Sequence, residues 1–370
     1  MLIARSVHPL PGEAERKERL LSLIDGFGSR RMLIVGDLIA DEFIYGDVAR
    51  VSREAPVLIL KYDTTEILPG GAGNAANNVA ALGGRAQLAG LVGDDAEGAR
   101  LLKSFHRGVD RTSIVRSKQY RTPVKTRILA GGVHAARQQV VRIDRDADWP
   151  LADGISQAFA RKIASLVESC DAVLLSDYGS GLVTPKLADT IRKAVAKRSR
   201  RRPVPVLVDS RYRLLDYRGL TTCTPNESEV EQVLGVRIDD DPAALERAGR
   251  LLLKKTGMSG VLVTRGSRGM ALFEPKQATV HIPIFGSGEV ADVTGAGDTV
   301  IATFGLALAA GASLYEAARL SNYAGGLVVK KRGTATVSSQ ELSDAVISDH
   351  DTTLENWSQE GPAQGRRRQP

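Results

Sequence analysis

An aspartate that follows small residues at the start of a helix is placed to do proton chemistry beside an anion. The segment DVTGAGDTV, Asp292 to Val300, has that form. Gly295, Ala296 and Gly297 are small enough for backbone N–H groups at a helix start to converge on one point, an anion site strengthened by the helix dipole. Asp298 would stand beside that hole, ready to take a proton from an attacking hydroxyl, which suits phosphate chemistry. The same residue would serve as an ordinary N-cap, and this segment by itself leaves the two readings level.

Three further segments put polar groups at turns. In LPGGAGNAANNVAALGG, residues 68–84, Gly70 and Gly71 permit close backbone approach, and Asn74, Asn77 and Asn78 offer donors and acceptors suited to a sugar. The stretch also reads as a Gly-rich turn into a capped helix, and Pro69 weakens its loose match to a dinucleotide fingerprint. In TPNESE, residues 224–229, Asn226 and Glu229 share the first helical turn; they could orient hydrated magnesium, while the spacing by itself favours a capping box. In VTRGSRGM, residues 263–270, Thr264, Gly266 and Gly269 follow an apolar run, as a turn against a nucleotide would or an ordinary hairpin. The chain has no Gly-Lys dipeptide, so a P-loop is excluded, and its five histidines lack ligand spacing.

These turns need a scaffold. Helical spacing over 73–83, 95–107, 153–168, 185–198 and 242–256 alternates with the short apolar runs AQLAGL, AVLLSD, VPVLVD and GVLVTR. The expected fold is therefore α/β, a mostly parallel central sheet with helices on both faces. Ligands of such sheets bind at the carboxyl ends of the strands, where Asp37, Asp177, Asp209 and Thr264 follow apolar runs. β-rich runs within 43–68 and 112–143 come without helices between them and predict a separate small antiparallel sheet. Residues 1–30 read as an appendage with a short amphipathic helix, 31–346 as one α/β domain, and 347–370 as a disordered tail.

Composition narrows the setting. With 43% hydrophobic and 25% charged residues the chain is globular. Its two cysteines, Cys170 and Cys223, exclude a disulfide scaffold and point to a reducing, cytoplasmic compartment. The uncharged stretch 299–315 is shorter than the ~20 apolar residues of a membrane span, so no membrane partner is expected. The net charge of +7 has much of its excess in 192–202 and 366–368. No aromatic residues interleave there, so a solvated helix end is expected rather than a nucleic-acid surface.

Taken together and in this order, the four segments resemble the ribokinase-like sugar kinases of the phosphofructokinase B type, over about residues 31–346. GGAGNAAN is similar to the N-terminal signature of that family and DVTGAGD to its C-terminal one. The resemblance implies a β-sheet lid on the α/β domain and ATP-dependent transfer of a phosphoryl group to a sugar hydroxyl. It implies Asp298 as the base and the amides of Gly295, Ala296 and Gly297 as the anion hole. Asp37, Asp41, Gly70, Gly71 and Asn74 would face the sugar, and Asn226 and Glu229 would lie near magnesium and the phosphates. Thr264, Gly266, Gly269 and Asn322 would surround ATP; Asp292 and Thr294, with backbone near Gly333, would surround a monovalent cation such as potassium.

More narrowly, VGDLIADEFIYGDVARVSREAPV (35–57) and LLSDYGSGLV (174–183) resemble the bacterial kinases that phosphorylate D-glycero-β-D-manno-heptose 7-phosphate at C1, on the route to ADP-heptose. A phosphorylated substrate needs cations opposite it, and Lys125 and Arg127 are the first candidates, ahead of Arg50, Arg53 and Arg137. No second α/β domain is expected after residue 346, and two lids could pair edge to edge as a homodimer. The alternatives are another sugar or nucleoside kinase of this fold, or a sugar-binding regulator that has lost turnover.

Overall fold

The computed structural model describes residues 12–131, 137–147, 153–198, 203–286 and 290–349. Helix α1 (Glu13–Asp25) leads into strand β1 (Arg31–Gly36). The chain then leaves as a long hairpin, β2 (Leu38–Val51) and β3 (Leu58–Gly71), and returns through α2 (Ala72–Ala81). β4 (Arg85–Gly93), α3 (Ala96–Ser104) and β5 (Val109–Ser117) follow, then β6 (Val124–Gly131) and β7 (Gln138–Arg145). The central part alternates α4 (Asp153–Leu166), β8 (Ala172–Asp177), α5 (Pro185–Ala196), β9 (Val206–Ser210), β10 (Thr222–Cys223), α6 (Glu227–Leu234), α7 (Pro242–Thr256) and β11 (Gly260–Thr264). β12 (Met270–Phe273), β13 (Val280–Ile282), α8 (Ala296–Ala310), α9 (Leu314–Val328) and α10 (Ser339–Ser348) complete it.

Nine strands form the large sheet in the order β13-β12-β11-β10-β9-β8-β1-β4-β5, parallel except for the two pairings made by β12. Strand β1 is apolar throughout because both of its faces are covered. Met32 and Ile34 pack into the core shared with α2, α8 and α9; Leu33 and Val35 pack into the core of α4, α5 and α7. Helix α8 is apolar on all sides for the same reason, and Thr299 to Ala307 of it are buried. The second sheet has four strands in the order β3-β2-β6-β7 and forms the lid.

Two expectations are corrected. The β-rich run around residues 112–115 does not belong to the lid: β5 pairs in parallel with β4 at the edge of the large sheet, with α3 as the crossover. The N-terminal helix is no appendage either, because Leu20, Leu23, Ile24 and Phe27 are buried in the core with residues of α8 and α10. Helix α10 continues to Ser348, and the rest of the expected tail, from 350 on, lies outside the described residues.

Candidate active site

Helix α8 starts at the carboxyl end of β8, where Asp298 of its first turn meets Tyr178, the residue after that strand, as a sheet of this topology requires of a site. Gly295 caps it with φ 75°, a left-handed conformation, and a Cβ there would lie 2.4 Å from Asn74 Nδ2. Both constraints leave glycine as the residue that fits. Of the first-turn amides, that of Ala296 donates to Val293 O at 3.2 Å, while the space beside exposed Gly297 is open. Asp298, 4% exposed, has both oxygens held: Oδ2 accepts from Asn74 Nδ2 and Oδ1 from the Tyr178 hydroxyl, each at 2.9 Å. Asn78 sets the direction of the Asn74 amide by donating to Asn74 Oδ1, and the Thr299 hydroxyl in turn donates to Asn78. Burial pushes the Asp298 carboxyl up to about 7, against the opposing effect of these two donors. A carboxyl poised near neutrality beside open main-chain amides can accept a hydroxyl proton while the amides hold an anion.

The lid supplies one wall. The register pairs Asp41 of β2 with Lys125 of β6, and Phe43 with Arg127, so all four side chains share one face. Arg127 is buried, donates to Asp41 Oδ1 at 2.5 Å and stacks over Phe43. Burial raises the Asp41 carboxyl, with Arg127 pulling it back. A Cβ on Gly70 would fall 2.3 Å from Asp41 Oδ2, which is why glycine stands there. The Lys125 ammonium lies 5.0 Å from the Tyr178 ring centre.

Not every expected sugar contact faces this space. Asp37 is 1% exposed and accepts from the amides of Tyr178 and Ser180 at 2.8 and 3.1 Å. It ties a loop to the end of β1 rather than presenting an open carboxylate, and burial followed by the charge of Asp177 pushes it up to about 7. Asn77 accepts from the His106 amide, away from Asp298.

On the other side, Asn226 and Glu229 form the capping box that their spacing suggests, each side chain bonded to the other's amide at 2.9 Å. Glu229 is raised by burial, and its charge helps to raise Asp209 at the end of β9 well above its ordinary value, after burial itself. The Asp209 side chain makes no hydrogen bond among the described residues. No group of three or more His, Cys, Asp or Glu suited to a metal occurs among the described residues.

The Thr264 amide donates to Pro225 O, and Glu227 pairs with Arg265 at 2.9 Å and Arg268 at 2.5 Å, which joins the TPNESE and TRGSRG turns. Gly266 opens the turn after Thr264. Gly269 is required by packing, since a Cβ would lie 2.0 Å from Ile282 O. Asn322 spends its amide on Pro283 O. Asp292 accepts from the amides of Thr294 and Gly333 at 2.9 and 3.0 Å, bringing those two loops together.

The sequence reading missed Tyr178 as the direct partner of Asp298, and Arg211, the residue after β9. Both follow strand-end residues, which was the one signal available.

Residues 32–341 match the profile of the pfkB family carbohydrate kinases. The chain belongs to that family. As a pfkB kinase it is a phosphotransferase with an alcohol group as acceptor. The "Bifunctional protein HldE" of Trichlorobacter lovleyi is 41% identical over 331 residues, 89% of this chain and 65% of that protein. Its namesake in Geobacter metallireducens is 41% identical over 329 residues, 88% of this chain and 65% of that protein. The pfkB chain thus spans 65% of the length of these relatives. Among solved structures, Arabidopsis thaliana ribokinase, complexed with ribose and ATP, has a TM-score of 0.66 at 22% identity, covering 86% of this chain and 98% of that one. Escherichia coli phosphofructokinase-2, in complex with potassium, has a TM-score of 0.67 at 17% identity over the same shares. These structures share the fold.

Proposed function

We propose that this pfkB kinase transfers the γ-phosphoryl group of ATP to the C1 hydroxyl of D-glycero-β-D-manno-heptose 7-phosphate, giving the 1,7-bisphosphate. The observation that carries the chemistry is the buried Asp298 carboxyl, held at both oxygens and tuned to about 7 beside open helix amides. Ionised Asp298 takes the hydroxyl proton as that oxygen attacks the γ-phosphorus in line. The amides of Gly295 and Gly297 stabilise the charge on the transferred group, so most of the catalysis is positioning and electrostatics.

Asp209 and Glu229 would hold a magnesium ion, partly through water, because each is a hard oxygen donor, the charge of Glu229 reaches Asp209, and the Asp209 side chain makes no hydrogen bond among the described residues. When bound, magnesium neutralises phosphate charge. A potassium ion beside Asp292 would share a carboxylate already committed to two amides.

Lys125 and Arg211 are the cations we assign to the sugar's own phosphate. Burial lowers the Lys125 ammonium below its ordinary range; the charge of Asp41 opposes this and that of Arg211 adds to it. Two like charges facing one space, with no ion pair of their own among the described residues, make a receptor for an anion. Arg127 is replaced in that role because Asp41 occupies it. The heptose reading is supported by the motifs at 35–57 and 174–183 and by the identity to the HldE proteins. An ATP-using kinase whose two cysteines are buried and form no disulfide fits the cytoplasm, and the same reading pairs two lids in a homodimer.

The test is ADP release with heptose 7-phosphate, fructose 6-phosphate, ribose and adenosine as acceptors. Heptose 7-phosphate should give the highest kcat/KM; a preference for ribose or adenosine overturns the phosphate assignment. Asp298→Asn should lose about a thousandfold or more in kcat while ATP affinity is kept, and an active Asn variant overturns the base.

A further inference from the structure

Tyr178 does more than hold one oxygen of Asp298, for it lies between the lid and that carboxylate. Its amide is pinned by Asp37, which fixes the loop after β8 to the end of β1. Its ring lies beneath Lys125 of lid strand β6 and against Gly71, where a Cβ would come within 3.3 Å of it. Its hydroxyl donates to Asp298 Oδ1 at 2.9 Å. We propose that Tyr178 is a positioning residue: it fixes the plane of the Asp298 carboxylate and links that orientation to the seating of β6. The proposal rests on Asp298 being the base.

With Asn74 alone on Oδ2, the carboxylate could still turn about its side-chain bond; a second donor on Oδ1 removes that freedom. Each carboxylate oxygen accepts more than one hydrogen bond, so Oδ1 keeps room for the acceptor hydroxyl. Donation to the ionised form also favours it. The phenol stays a donor at working pH, because burial, and then the charge of Asp298, keeps it protonated. The other groups facing Asp298 are Asp41 of β2, Lys125 of β6 and Asp209 of β9, with the neutral amide of Asn74 from α2. Tyr178→Phe leaves all of them in place and removes one hydroxyl.

The experiment compares wild type, Tyr178→Phe and Asp298→Asn for kcat, both KM values, the pH profile of kcat and the melting temperature, using the best acceptor of the panel. Tyr178→Phe should lose about 10- to 100-fold in kcat, the size expected for a hydrogen bond to a charged group. Both KM values should stay within about twofold of wild type, a deficit confined to the chemical step. The acid limb should move to higher pH, since losing a donor raises the carboxyl. Tyr178→Leu, which also removes the ring beneath Lys125, should fall further. Unchanged kcat and acid limb in Tyr178→Phe, with Asp298→Asn inactive, overturn the proposal alone. A collapse of kcat, both KM values and melting temperature together overturns it too, by showing a merely structural role. Full turnover by Asp298→Asn instead overturns the base reading beneath it.

Discussion

Asp298 is placed where it weakens the fold. Its carboxyl is held near 7 in the folded protein against an ordinary value of 3.8, so between those pH values the folded state keeps a proton that the unfolded chain has released. Stability therefore falls as pH rises from about 4 to 7, and the full penalty remains above that. Asp298→Asn removes the penalty. At pH 8 its unfolding free energy should exceed that of wild type by about 1–3 kcal/mol, and the gain should vanish near pH 4. Denaturant unfolding at the two pH values measures this; a variant no more stable than wild type at pH 8 would show that the carboxylate is not strained. Asp298 and Gly295 were legible in the sequence because a helix start, its amides and its cap are local. Tyr178 was not, since its partner is 120 residues away and one tyrosine after a strand gives no periodic signal. Arg127 misled for the same reason: its type suits a phosphate, but Asp41, 86 residues away, claims it once β2 and β6 align.

The lid is tied to the body by ions on its other face. Glu42 of β2 accepts from the Thr126 hydroxyl at 2.8 Å and pairs with Arg100 of α3 at 3.3 Å, while Arg145 of β7 bridges Glu42 and Glu97 of α3. Single half-exposed pairs contribute little, but this group joins three lid strands to one helix of the large domain. Glu42→Gln should raise the KM for the sugar by about 3- to 10-fold, with kcat and melting temperature little changed, because a loosened lid weakens binding before chemistry. Wild type in high salt should move toward the variant as the pairs are screened. An unchanged KM in both comparisons would show that the lid is seated by packing alone. The lid itself was readable as strands without helices between them. The membership of β5 was not: a β-rich run says nothing about its partner, and α3 is the crossover that delivers β5 to the large sheet. The α1 helix was seen but misjudged, because its apolar stripe shows burial without showing against what.

At the scale of the whole molecule, the lid presents a surface that a lone chain leaves wet. Strand β7 is exposed along its length, with Val140, Val141 and Ile143 between 44% and 50% exposed, and Val48, Val51, Leu58 and Tyr62 extend the apolar area over β2 and β3. Val141 pairs with Ile128 and Ile143 with Thr126, which places them on the face turned away from Asp41, Lys125 and Arg127. A second copy could therefore cover this face while leaving the site's face untouched. Among the described residues both lid edges, β3 and β7, also lack a further strand partner, a liability that natural sheets cover or blunt. A two-fold pairing of lids would answer both features with one self-complementary interface. Light scattering should then give twice the chain mass of 39.6 kDa at micromolar concentrations. The double variant Val141→Asp, Ile143→Asp should run as a monomer with its secondary structure intact, because both side chains already face solvent within one chain. A wild-type protein that stays monomeric at those concentrations would refute the pairing without touching the chemistry at Asp298.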